Sequence, residues 1–131
     1  MLLALLCCPS VLLPQTSASR NDIRPHLASL IQVIANPKNF DGEAVKLVGF
    51  LGRGGGADLS VGLFVSENDE RNHVIPNSID VTIDESKVKG LIGQCVVLSG
   101  VYHAPDPRAG YNGYIDQITD LRVWNSGDLA K

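Results

Sequence analysis

The residues able to do chemistry in this chain are few and scattered. The run GRGGG (52–56) has the glycine density of a phosphate cradle, in which backbone N–H groups and a helix N-terminus face the anion. A P-loop, however, needs GxxxxGK followed by Ser or Thr, leading from a strand into a helix. Here the run contains no Lys and is followed by the strand-like stretch LSVGLFVS (59–66). The glycines therefore predict a tight hairpin connection, where φ > 0 is required. His26, His73 and His103 show no HxxxH, HExxH or CxxC spacing that would hold zinc. No serine stands in a nucleophile elbow. Asp80 and Asp84 fall on one face of a predicted strand and could act as a carboxylate pair, although alternate polar positions usually form only its wet side. Cys95 sits in the apolar run QCVVLSGVY with no His nearby, and reads as a small buried hydrophobe rather than a nucleophile. Neither a catalytic set, a cofactor nor a metal site is predicted.

Composition narrows the partners. The 131 residues carry a net charge of −3, with 44% apolar and 19% charged residues, which is ordinary for one globular domain. From position 58 to 86 the acidic residues are Asp58, Glu67, Asp69, Glu70, Asp80, Asp84 and Glu85, against Arg71 alone. A phosphate backbone would be repelled there. Aromatic residues make up only 5% of the chain, so the stacking platform and basic groove of a single-stranded nucleic-acid binder are both lacking.

The first eighteen residues, MLLALLCCPSVLLPQTSA, are uncharged, apolar between positions 2 and 13, and end in a small-x-small pattern. They read as a cleavable export signal over 1–18, too short for a membrane span of about 20 residues. No basic residue precedes the stretch, Pro9 interrupts it, and Cys7 and Cys8 lack the preceding small residue of a lipoprotein signal. Residues 19–131 then form one domain, periplasmic or secreted, whose lone cysteine permits no internal disulfide.

Periodicity supplies the elements that would position any site. Leu27, Leu30, Ile31 and Ile34 define one face of a short helix with Pro25 in its first turn, ended at Asn36 by Pro37. Asp41-Gly42 is a turn signal, and a strand with two apolar faces follows from Glu43 to Leu51. Its Gly49 predicts a bend. The second strand is 59–66. A polar stretch, SENDERNHVIPNS (66–78), reads as a solvated connection, and SIDVTID (78–84) as a one-sided third strand. ESKVKGLIG (85–93) supplies a short helix with Val88, Leu91 and Ile92 inward. The fourth strand (94–103) has Gly100 within it, the loop APDPRAGYNG follows, and 114–124 reads as a bulged last strand. The expected fold is mainly β: a five-stranded OB-like Greek-key barrel with an N-terminal helix and a short helix between the third and fourth strands.

The segments "SLIQVIANPKNFDGEAVKLVGFL", "GLFVS", "IDVTID", "GQCVVLSGVYHA" and "GYNGYIDQITDLRVW" resemble a family of small uncharacterised bacterial proteins, often exported. Its members show a helix, an NPxxFxGxxVxVxGFL strand and a final GHxGxxxGxIxxIxxI strand. The resemblance spans about residues 27–124 and implies an OB-like barrel without a reaction. Where the family commonly has His in the last motif, this chain has Tyr111.

In an OB-fold, ligands lie across the middle strands between two loops, here GRGGGAD and APDPRAGYNG. These carry Arg53 and Arg108, and the second loop adds Tyr111 and Tyr114. Arginine forks beside tyrosine faces suit a carboxylate, a phosphate or a ring. The acidic face with Asp80 and Asp84 suits a cationic peptide, protein or small ligand. The sequence therefore predicts an exported, non-enzymatic binding or structural module that favours a cationic partner. An anionic small molecule held by Arg53 and Arg108 is the alternative, and nucleic acid is disfavoured.

Overall fold

A computed structural model describes residues 24–54, 60–106 and 112–128. The expected export signal at 1–18, the centre of the glycine run and the sites Arg108 and Tyr111 lie outside the described residues. Among the described residues, six strands and four short α-helices run in the order β1 (His26–Leu27), α1 (Leu30–Ala35), α2 (Pro37–Phe40), β2 (Ala44–Arg53), β3 (Val61–Phe64), α3 (Glu67–Arg71), β4 (Ser78–Val81), α4 (Glu85–Val88), β5 (Cys95–His103) and β6 (Tyr114–Val123). A 3-10 turn, Ile75–Asn77, precedes β4.

Strands β2 to β6 close into a barrel. The order is β2-β3-β4-β6-β5, with β5 returning to β2 along residues 44–50. Only the β4–β6 pairing within the barrel is parallel, the signature of a Greek-key path. The chain is thus mainly β with a closed five-stranded, OB-like barrel, as its periodicity predicts. Val45, Leu47, Leu51, Leu63, Ile79, Leu98, Tyr102 and Ile115 fill the interior, all fully buried. Each such aliphatic side chain contributes roughly 1.5–3 kcal/mol on burial. Val88 of α4 joins this core, as do Leu30 and Val33 of α1.

Both mid-strand glycines do what a small closed sheet demands. A Cβ at Gly49 would lie 2.7 Å from Phe64 O, and one at Gly100 would lie 2.6 Å from Asp116 O. Backbones approach too closely there for any side chain. Opposite Gly100 the β5–β6 register slips, and Gln117 takes a left-handed φ of 49°. The last strand is therefore bulged, as its irregular apolar spacing suggests. The glycine run also spans a hairpin: β2 and β3 are antiparallel neighbours, and Gly54 donates its N–H to Ser60 O at 2.6 Å.

Several local expectations are corrected. The N-terminal helix starts at Leu30 rather than near Pro25, because Ser29 and Gln32 form a reciprocal capping box. Its inward residues are consequently Leu30 and Val33, while Ile31 is 62% exposed. Leu27 lies in β1, which pairs parallel with β2. The 66–78 stretch is not a plain solvated connection but contains α3, capped by Ser66. Cys95 is half-exposed rather than buried. The third strand ends at Val81, and Asp84 leaves it to cap α4 through Ser86 N–H. Asp80 and Asp84 therefore do not share a strand face.

Candidate functional site

One row of outward-facing positions crosses the barrel at a single level. The registers place Gly52 of β2 beside Gly62 of β3, Gly62 beside Asp80 of β4, Asp80 beside Tyr114 of β6, and Tyr114 beside His103 of β5. The next positions along β4, β6 and β5, Val81, Ile115 and Tyr102, are all buried inside the barrel. Alternation then puts Asp80, Tyr114 and His103 on the outside.

The two halves of this row differ. Over the glycines lies the ring of Phe64, within 3.0 Å of a Cβ built on Gly52 and 3.2 Å of one on Gly62. Glu70 of α3 packs beside it, its Cγ 2.5 Å from the same Gly52 position. Phe64 is fully buried, yet it stands apart from the barrel core. Helix α3 thus closes the glycine half. Ser66 Oγ donates to Asp69 Oδ2 at 2.7 Å, and Asn77 Nδ2 donates to Asp69 Oδ1 at 3.0 Å. Those bonds hold the Asp69 carboxyl below its usual range.

No described element covers the other half. Tyr114 is 43% exposed and stacks on His103, with ring centroids 4.7 Å apart and planes 18° from parallel. His103 Nε2–H donates to Asp116 Oδ1 at 2.7 Å, which fixes the imidazole under the tyrosine. Asp80 is half-buried beside them, and burial pushes its carboxyl above the ordinary value. This is a carboxylate short of hydration next to an aromatic face. A cation there would gain both the ring quadrupole and the charge.

The loop after β5 is tied down at both ends. Tyr102 rises from the core to donate its O–H to Asn112 O at 2.6 Å. Burial, with Asp41 nearby, pushes its phenol up to about 12. Asn112 Nδ2 in turn donates to Pro76 O and Ser78 O at 2.6 and 2.9 Å. Gly113 takes φ +86°, and a Cβ there would collide with His103 O. At the other end Ala104 N–H donates to Asp41 Oδ1 at 2.9 Å.

Of the sequence-predicted residues, Asp80 and Tyr114 are brought together. Arg53 stands elsewhere, at the barrel end, ion-paired with Glu85 of α4. It lines a hollow of about 390 Å³ with Ser86, Val88, Lys89 and Ile92. Asp84 caps that same helix. His103, Asp116 and Asn112 were not among the predicted site residues. A β-hairpin drawn inward from the loop ends would have set His103 opposite Tyr114, so a signal existed. Among the described residues no group of three His, Cys, Asp or Glu side chains is placed to hold a metal ion, and no helix is long and apolar enough to cross a membrane. An apolar hollow of about 380 Å³ opens beside α1, lined by Leu27, Ile31, Val48 and Val65. Its one side-chain hydroxyl, that of Ser29, is committed to the helix cap.

Comparison with known proteins adds little to this geometry. No model of a known protein family matches the chain, and no curated protein does. A solved structure, OBody AM3L15 bound to hen egg-white lysozyme, is similar at 20% identity and a TM-score of 0.43, covering 66% of this chain and 85% of that one.

Proposed function

We propose that this chain is a non-enzymatic binding module that takes a cationic group, carried by a peptide, protein or small ligand, on the open belt of Asp80, Tyr114 and His103. The observation that carries this reading is the register row itself. It sets an under-hydrated carboxylate beside an exposed tyrosine that is braced by an imidazole and a second carboxylate. Such a surface holds a guanidinium or ammonium by charge and by ring stacking together. The acidic balance of the 58–86 region supports the same sign of partner. The uncharged apolar stretch at 1–18 supports placing the module outside the cytoplasm. Because Arg53 already has Glu85 as its partner, an anionic ligand is the weaker reading.

The test is calorimetric titration of the chain with a tetra-arginine peptide at low ionic strength. Binding is expected to weaken about tenfold in Asp80→Asn and in Tyr114→Ala, to fall with added salt, and to be unchanged in Arg53→Ala. Loss of binding in Arg53→Ala with Asp80→Asn unaffected would overturn the assignment.

A further inference from the structure

Strand β6 has an edge that no described strand covers. It pairs with β5 along most of its length but with β4 only at Tyr114 and Ile115. Beyond that point β4 has ended and the chain turns into α4. A groove of about 220 Å³, bordered by Ile83, Lys87 and Ile118, runs along the uncovered part. Trp124 N–H donates to Cys95 O at 2.9 Å, so alternation turns the peptide groups of residues 120 and 122 toward β5 as well. Those of Thr119, Leu121 and Val123 point to the open side. Val123 is 51% exposed and Trp124 38%.

We propose that two copies of this chain associate through this edge, β6 against β6, antiparallel about a two-fold axis at Leu121. The stretch 119–123 reads T-D-L-R-V and is complementary to its own reverse in that register. Asp120 faces Arg122 of the second copy, and Arg122 faces Asp120 of the second copy. Leu121 faces its own counterpart, and Val123 faces Thr119. The residues whose amides point outward are the ones this register uses, so about six hydrogen bonds form across the join. A register centred on position 120 or 122 instead sets like charges opposite one another, which is unfavourable. Asp120 and Arg122 lie on the same outer face and are both partly exposed, with Arg122 Nε 3.3 Å from Asp120 Oδ2 in its own chain. Arg122 Nη1 also pairs with Asp128 Oδ1 of the same chain, and the five donors of the guanidinium fork leave N–H groups for a third carboxylate. Upstream, the bulge at Gln117 breaks the regular edge, which limits the pairing to 119–123 and blocks register slippage. An isologous join of this kind removes an edge that would otherwise template indiscriminate pairing.

Sedimentation equilibrium of the full chain, from about 1 to about 300 μM, tests this. A reversible monomer–dimer equilibrium with a Kd on the order of 10 μM is expected for so short an interface. Asp120→Lys and Arg122→Glu should each weaken it at least tenfold. An equimolar mixture of those two variants should recover the dimer, because each substituted position then faces an opposite charge. A wild-type chain that stays monomeric throughout the range overturns the proposal. So does a dimer indifferent to both substitutions, or a mixture that fails to recover it.

Discussion

The outer surface of this barrel carries two neighbouring half-rows at one level, and they have opposite fates. On β2 and β3 the row reads Gly52, Gly62, and the chain's own Phe64 and α3 settle into the space that missing side chains leave. On β4, β6 and β5 it reads Asp80, Tyr114, His103, and no described element covers it. In the proposed function, this difference divides the outside of the barrel between folding and recognition. A glycine row invites an internal cover that adds apolar burial. The half with an acid beside two stacked rings is the one that the proposed function gives to a cationic group.

Substitutions on the two halves should therefore separate stability from binding. The largest effect is expected from Phe64→Ala, which empties the covered half and should cost about 3–5 kcal/mol in urea unfolding. Tyr114→Ala, on the half-exposed side, should cost about 1 kcal/mol or less while weakening the tetra-arginine complex. Equal losses of stability from the two would erase the distinction.

A smaller effect sharpens the role of the tyrosine that rises from the core to the loop. Tyr102→Phe removes the bond to Asn112 O and should cost about 1 kcal/mol at neutral pH. The phenol is held at about 12 against an ordinary 10.0. Its contribution is thus complete below pH 10 and lost as pH rises toward 12. Wild-type stability should fall across that window, and the phenylalanine variant should lack this component of the slope.

The smallest stability effect belongs to Asp80. Its folded value is raised by burial, so its ionised form opposes folding: the favourable contribution exists at pH below the ordinary 3.8 and is gone once pH passes the folded value. At pH 7, Asp80→Asn should leave stability unchanged or improve it by a few tenths of a kcal/mol, as expected for a carboxyl that still meets solvent. Binding of the cationic probe should be impaired by the same change.

Much of the barrel was legible before any coordinates. Two-residue alternation places Val45, Leu47 and Leu51 inside, and Gly49 and Gly100 mark where strands must bend. The errors share a cause in local capping chemistry that competes with apolar spacing. Ser29-x-x-Gln32 shifted the first helix by several residues, Ser66-x-x-Asp69 built a helix in a polar stretch, and Asp84 left its strand to cap α4. Each is a short hydrogen-bonding pattern that outweighs hydrophobic phase over one turn. The site was half legible. Asp80 and Tyr114 stand out as residue types, but their adjacency depends on a parallel β4–β6 pairing between segments more than thirty residues apart, which no local pattern specifies. Arg53 looks free as a loop arginine and is not, because Glu85 reaches it only once α4 docks against the barrel end.

The belt can be examined most directly by following backbone amide shifts in two-dimensional NMR while the chain is titrated with tetra-arginine. The amides of Asp80, Tyr114, His103 and Asp116 should move together and saturate, and Asp80→Asn should move the saturation point to about tenfold higher peptide concentration. Shifts centred instead on Arg53 and α4, or on Leu27 and Ile31, with Asp80 and Tyr114 unmoved, would contradict the account.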